Sequence, residues 1–166
     1  MSKLLILGSI AFDQIETPFG KSNSIMGGSA NYIALAAAQF EIPAAVVSIV
    51  GGDYPQEYLN LLTERRIDVS GIEIVQGGKT LFWSGKYHND MNQRDTLDTQ
   101  LNVINDFKPI VPEAFRDAEV LLLGNLHPSL QMEVLHQMTQ RPKLVVMDPM
   151  NYWINHTWDL LMEGIA

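Results

Sequence analysis

The chain has 166 residues, enough for one substantial core and too few for two domains of usual size. Apolar residues make up 46% and charged ones 18%, a globular composition, and the net charge of −8 comes without a basic face, which argues against nucleic acid as a partner. With no cysteine there can be no disulfide, thiolate metal site or cysteine nucleophile, and no run is long and apolar enough for a membrane span, so the expected location is the cytoplasm.

In chain order, residues 3–9 read as a strand buried on both faces, the kind found in parallel sheets, closed by Gly8-Ser9 with Asp13 just beyond. Phe12 to Thr17 reads as extended, with a turn at Pro18 and Gly20. The stretch Met26-Gly27-Gly28-Ser29-Ala30-Asn31 then opens an alanine-rich helix over about 29–40. Two glycines permit turn conformations and close approach to the main chain, Ser29 is suited to cap the helix, and free amides at such a start suit hydroxyls or anions. A binding site and an ordinary loop-to-helix junction are equally compatible with this stretch alone.

Residues 44–50 predict a second buried strand ending at Gly51-Gly52-Asp53, and 54–66 an amphipathic helix with Tyr54, Tyr58, Leu61 and Leu62 on one side. Strand and helix alternate so far, as in a parallel sheet flanked by helices. The rhythm breaks over 72–103. Ile72–Val75 reads as a short strand, 79–88 as a longer one, 89–92 as a hairpin turn, and the next piece as extended through Leu97, Leu101 and Val103. This β-rich insertion, with 12–25, is expected to form a flap or small second sheet, in which Trp83 covers a ligand, meets another subunit or, as readily, packs within the flap's own core. The α/β pattern resumes with a strand at 120–125, a helix over 128–140 carrying Leu130, Val134, Leu135 and Met138, a strand at 143–147, and a helix over 153–163 with Trp158, Leu161 and Met162 as its apolar side.

Four apolar strands thus end in polar or glycine clusters: Gly8-Ser9 with Asp13, Gly51-Gly52-Asp53, Gly124-Asn125, and Asp148 with Asn151. In a parallel sheet all four share one edge, where open α/β folds bind ligands, and carboxylates and amides suit a polyhydroxyl ligand. Taken singly, each is better explained as a cap or turn residue; taken together, the four lead one to expect a site. No Gly-x-Gly-x-x-Gly, Walker loop, Gly-x-Ser-x-Gly elbow or His-Glu-x-x-His occurs, and the histidines lack metal-ligand spacing.

Gly8-Ser9-Ile10-Ala11-Phe12-Asp13, Gly27-Gly28-Ser29-Ala30-Asn31, Val50-Gly51-Gly52-Asp53 and, more loosely, Asp148-Pro149-Met150-Asn151 together resemble the N-terminal portion of the ribokinase-like (PfkB) carbohydrate kinases. The resemblance implies an α/β fold with a parallel or mixed sheet, a small β-sheet lid that often clasps a homodimer, and residues 1–166 forming the N-terminal part of one kinase domain. It implies ATP-dependent phosphorylation of a hydroxymethyl group on a sugar or nucleoside, with Asp13, Gly27, Gly28 and Asn31 binding the acceptor. Trp83, Asp53, Asn125, Asp148 and Asn151 would stand at the lid or site edge, Asp53 also holding its turn.

The chain departs from the family pattern in four ways. Phe40-Glu41 stand where relatives have a glycine, Pro55 stands near another, Trp153 lies near the place of an arginine, and the Asp-Thr-x-Gly-Ala-Gly-Asp signature is absent. That signature carries the catalytic base and anion hole, expected beyond Ala166, so ATP and Mg2+ are expected cofactors of the complete enzyme, with neither bound by these residues alone and no metal ligands among them. The alternative is a non-catalytic small-molecule-binding or dimerisation module of the same fold.

Overall fold

The computed structural model describes residues 3–165; Met1, Ser2 and Ala166, the outermost residues of the expected 1–166 unit, lie outside that span. Four apolar runs give most of the main sheet: β1 (Leu4–Leu7), β5 (Ala44–Gly51), β9 (Val120–Leu123) and, at its edge, β10 (Leu144–Met147). With β6 (Ile67–Val75) they form a five-stranded sheet in the order β10-β9-β1-β5-β6, every pair parallel. Continuous apolar sequence is the mark of strands covered on both faces. Accordingly Leu5, Leu7 and Val47 enter one core with Val103, Phe107 and Phe115, while Ile6 and Val46 enter the other with Ala30, Ala34 and Leu62. Leu5, Ile6, Leu7, Val46 and Val47 are all 0% exposed, each stabilising the fold by roughly 1.5–3 kcal/mol.

Helices α1 (Ser29–Ala38) and α2 (Gln56–Glu64) cover one face, and α3 (Pro128–His136) packs beside the other core. Helix α2 buries Leu59 and Leu62, with Tyr58 partly buried against the same core. The helix expected over 153–163 is instead two, α4 (Asn151–His156) and α5 (Trp158–Ile165). Thr157 leaves helical geometry between them, its N–H and hydroxyl both donating to the Trp153 carbonyl at 2.8 Å. Of the apolar side expected there, only Leu161 is buried, whereas Trp158 and Met162 are exposed.

A second sheet rises from the carboxyl ends of β1 and β5. It comprises β2 (Ala11–Thr17), β3 (Gly20–Lys21), β7 (Leu81–Tyr87) and β8 (Arg94–Gln100) in the order β3-β2-β7-β8, with β4 (Ile25–Gly27) also paired to β2. Strands β2 and β7 are parallel, and β7 and β8 form an antiparallel hairpin. Residues 72–75 were expected in this insertion and lie elsewhere. They are the end of β6, which pairs in parallel with β5 from Ile67 onward, after Arg66 reverses the chain at φ 63°. Leu101 and Val103 also leave the expected strand: a 3-10 turn begins at Asn102, and it buries Val103 under the main sheet.

Candidate functional site

The site is built where β1 hands over to β2. Gly28 takes φ +90°, a conformation open to glycine, and a side chain there would strike the Ser9 carbonyl. Gly27 lies directly against the Asp13 carboxylate, so any side chain at that position would displace it. In the β2–β4 ladder the two are diagonal neighbours, Gly27 pairing with Ala11 and Asp13 with Ile25, and on its other side Asp13 pairs with Trp83 of β7. Asp13 is half-buried, and burial raises its pKa above the ordinary carboxylate value. The described residues give its carboxylate no hydrogen bond or ion pair, leaving its acceptor capacity for a ligand.

Two of the amides at the helix start are taken from within the chain. Gly28, with no side chain to contribute, is the N-cap of α1, and Ser29 is its first residue. The Ser29 hydroxyl turns back to accept from Ser9 N–H at 3.2 Å, Ser29 N–H donates to Ser9 Oγ at 3.3 Å, and Ala30 N–H donates to the Ser9 carbonyl at 3.0 Å. The turn after β1 therefore satisfies the first amides of the helix from within the chain.

Asn31 is 0% exposed, and its Nδ2 donates to the Gly27 carbonyl at 2.6 Å and to the Tyr54 hydroxyl at 3.0 Å. Its Oδ1 is buried without a partner. Tyr54 packs against Phe12 of β2 at 5.5 Å between ring centroids, and burial, the largest influence, pushes its pKa up to about 12. Asp53 is exposed and accepts from Thr80 N–H at 2.8 Å and Thr80 Oγ1 at 2.7 Å, while Thr80 Oγ1 accepts from Gly51 N–H. It thus ties the end of β5 to the residue preceding β7.

The remaining expected residues lie further along the same two sheets. Trp83 sits on β7 with its ring over Gly85, its Nε1 donating to Thr96 at 3.3 Å and the Arg94 guanidinium 5.6 Å from the ring centroid. Asn125 accepts from Trp153 Nε1 at 2.9 Å, so it is occupied by the residue standing near the expected arginine. Asp148 and Asn151 are exposed at the end of β10 and the start of α4. Asp13, Gly27 and Asn31 are therefore drawn together, and no hydrogen bond links them to Asn125, Asp148 or Asn151.

Sequence reasoning missed two tyrosines. Tyr54 belongs to the turn after Gly51-Gly52-Asp53, not to the helix side where the apolar pattern put it. Tyr32 donates from its hydroxyl to the Met26 carbonyl at 3.0 Å, and burial first, then the charge of Asp13, raises its pKa. An aromatic next to Asn31 in the glycine-led helix was the available signal.

Whether ATP and magnesium would fit these residues can be tested on the donors present. Among the described residues there is no group of three His, Cys, Asp or Glu side chains able to hold a metal ion. The glycine-led helix start has its Ser29 and Ala30 amides occupied and a carboxylate beside it. The residues present do not fit a magnesium-bound triphosphate. Among them, too, no helix is long and apolar enough to cross a membrane.

A parallel sheet flanked by helices, carrying a second sheet at its carboxyl edge, defines the ribokinase fold. The chain aligns over 99% of its length, and 58% of the other's, with the Methanocaldococcus jannaschii nucleoside kinase, described as an archaeal member of the ribokinase family, at 18% identity and TM-score 0.78. The Burkholderia thailandensis nucleoside kinase solved with inosine gives TM-score 0.79 and 19% identity over 98% of this chain and 57% of that one. In sequence, the chain is similar to the cytidine kinase of Thermococcus kodakarensis, 27% identical over 150 residues, which is 90% of this chain and 52% of that protein. No family model matches. The likeness to the ribokinase-like carbohydrate kinases is thus carried by fold and sequence together, and the chain spans about half the length of the relatives it matches.

Proposed function

We propose that these residues form the acceptor-binding half of an ATP-dependent kinase that phosphorylates a hydroxymethyl group, and that the acceptor is a nucleoside. One observation carries the reading. A half-buried carboxylate, Asp13, is held over a bare glycine at the carboxyl edge of a parallel sheet with no hydrogen-bond or ion-pair partner among the described residues. Such a group accepts hydrogen bonds from ribose hydroxyls, and the Gly27–Gly28 backbone forms the floor beneath them. Nucleoside is favoured over free sugar because the relatives above are named as cytidine and nucleoside kinases. ATP, Mg2+ and the catalytic base would be supplied by residues other than those described, and no transfer step is assigned to this chain's own side chains. Trp83 and the second sheet support a lid role. The open strand β8, where Leu97 is 55% exposed, supports contact with a second copy of the chain.

Isothermal titration of the protein with cytidine, inosine, ribose and fructose tests the acceptor. Nucleosides are expected to bind more tightly than the sugars, and Asp13→Asn to weaken binding by about 10- to 100-fold, the loss of a charge-assisted hydrogen bond. Absence of nucleoside binding at millimolar concentration, or an Asp13→Asn variant that binds as wild type, would remove the basis for the proposal. If the 166 residues alone turn over ATP with any acceptor, the division into halves is wrong.

A further inference from the structure

The turn between β5 and α2 meets the second sheet at three places. Tyr54 packs on Phe12 of β2, it reaches Gly27 of β4 through Asn31, and Asp53 beside it binds Thr80 at the entry to β7. The turn itself is closed by Tyr54 N–H donating to the Gly51 carbonyl at 3.1 Å and by Gly52 N–H donating to Val75 at 2.9 Å. We propose that Tyr54 is a positioning residue for the Asp13 site. Its hydroxyl holds Asn31, Asn31 holds the Gly27 carbonyl, and Gly27 is thereby kept under the Asp13 carboxylate.

The orientation of Asn31 supports this. The Gly27 carbonyl can only accept, so the amide must present its NH2 there, and the same NH2 serves Tyr54. Its Oδ1 is left buried and unpaired, an uncommon arrangement that costs stability. An apolar side chain of similar volume would fill this place in the core without that cost, but it could not bridge Gly27 to Tyr54. The double donation is what an asparagine adds. The inference rests on the acceptor-site reading for its functional consequence, while its structural claim concerns Asp13 alone.

Carbon-13 NMR titration of the Asp13 carboxyl, together with nucleoside binding, separates the two. In Tyr54→Phe the ring stays on Phe12 and only the hydroxyl is lost. Gly27 is released, Asp13 becomes better solvated, and its titration is expected to move down toward 3.8, with nucleoside affinity about fivefold to tenfold weaker. Tyr32, the ionisable neighbour whose hydroxyl senses Asp13, stays neutral throughout that range. Tyr58→Phe, which alters the ring next to Tyr54, is the control expected to move neither. A Tyr54→Phe variant that titrates and binds as wild type overturns the proposal. Should that variant fail to fold, Asn31→Ala severs the same link without overpacking the buried position, and an unchanged Asp13 titration there overturns it equally. If the titration moves but no nucleoside binds even the wild type, the acceptor reading fails and the positioning of Asp13 by Tyr54 stands.

Discussion

Strands β1 and β10 have nearly the same composition, Leu4-Leu5-Ile6-Leu7 against Leu144-Val145-Val146-Met147, and opposite surroundings. The first lies between two helix-lined cores and is sealed on both faces. The second ends the sheet with Leu144, Val145 and Val146 at 52%, 38% and 40% exposure and one unpaired edge. The candidate site divides along the same line. On the β1–β5 side, Gly27, Asn31 and Tyr54 are joined by hydrogen bonds beside Asp13; on the β9–β10 side, Asp148 and Asn151 face solvent. An apolar strand therefore reports the burial it is suited to, and only the surrounding elements decide whether it gets it.

Truncating each strand gives the largest expected contrast. Ile6→Ala should cost ~3–4 kcal/mol through lost burial and a residual cavity, whereas Val146→Ala, already in solvent, should cost less than ~1 kcal/mol. Urea or thermal unfolding measures both, and equal losses would mean that β10 is covered in solution. A middle-sized effect belongs to the junction of β9 and α4. Trp153→Phe keeps the edge-on contact with His127 but removes the donor to Asn125, an expected cost of ~1 kcal/mol with nucleoside affinity unchanged. Weakened nucleoside binding in that variant would extend the site across the whole edge.

The smallest effect is on the tight side and has the opposite sign. Burial raises the Asp13 pKa, so the folded protein holds this proton more firmly than the unfolded chain, and the charged form is penalised at neutral pH. The penalty is absent below the ordinary value of 3.8, grows as pH rises through the folded pKa, and is constant above it. Because the group is only half-buried, solvent moderates it, and Asp13→Asn should raise Tm by about 1–2 °C at pH 7. The gain should fade as pH is lowered past that window. A gain that persists at low pH would have another origin.

Much of this arrangement was legible beforehand. Apolar runs closed by glycine or aspartate give the four strand ends, because a parallel strand must be apolar throughout and its ligand edge must not be. The start of β6 was hidden: Asp68, Ser70 and Gly71 look like a loop, and only pairing with β5 makes them strand. The parallel pairing of β2 with β7 joins segments about 70 residues apart, which no local pattern encodes. Tyr54 was missed for the same reason, its partner Asn31 being 23 residues away. Glu41 shows the reverse case. It adopts φ 54°, the left-handed conformation that glycine takes most easily, close to where the family resemblance leads one to expect a glycine.

The exchange between Ser9 and Ser29 has a consequence for turnover. Each residue's amide is answered by the other's hydroxyl, and the next amide, Ala30, is answered by the Ser9 carbonyl. Under the proposed function the acceptor arrives uncharged and leaves as a phosphate monoester. It would leave a site where the Ser29 and Ala30 amides are already taken, with a carboxylate alongside and a net charge of −8 on the chain around it. Under that function such a site would suit the neutral form better than the anion, so the same serine pair that closes the junction would favour release of product.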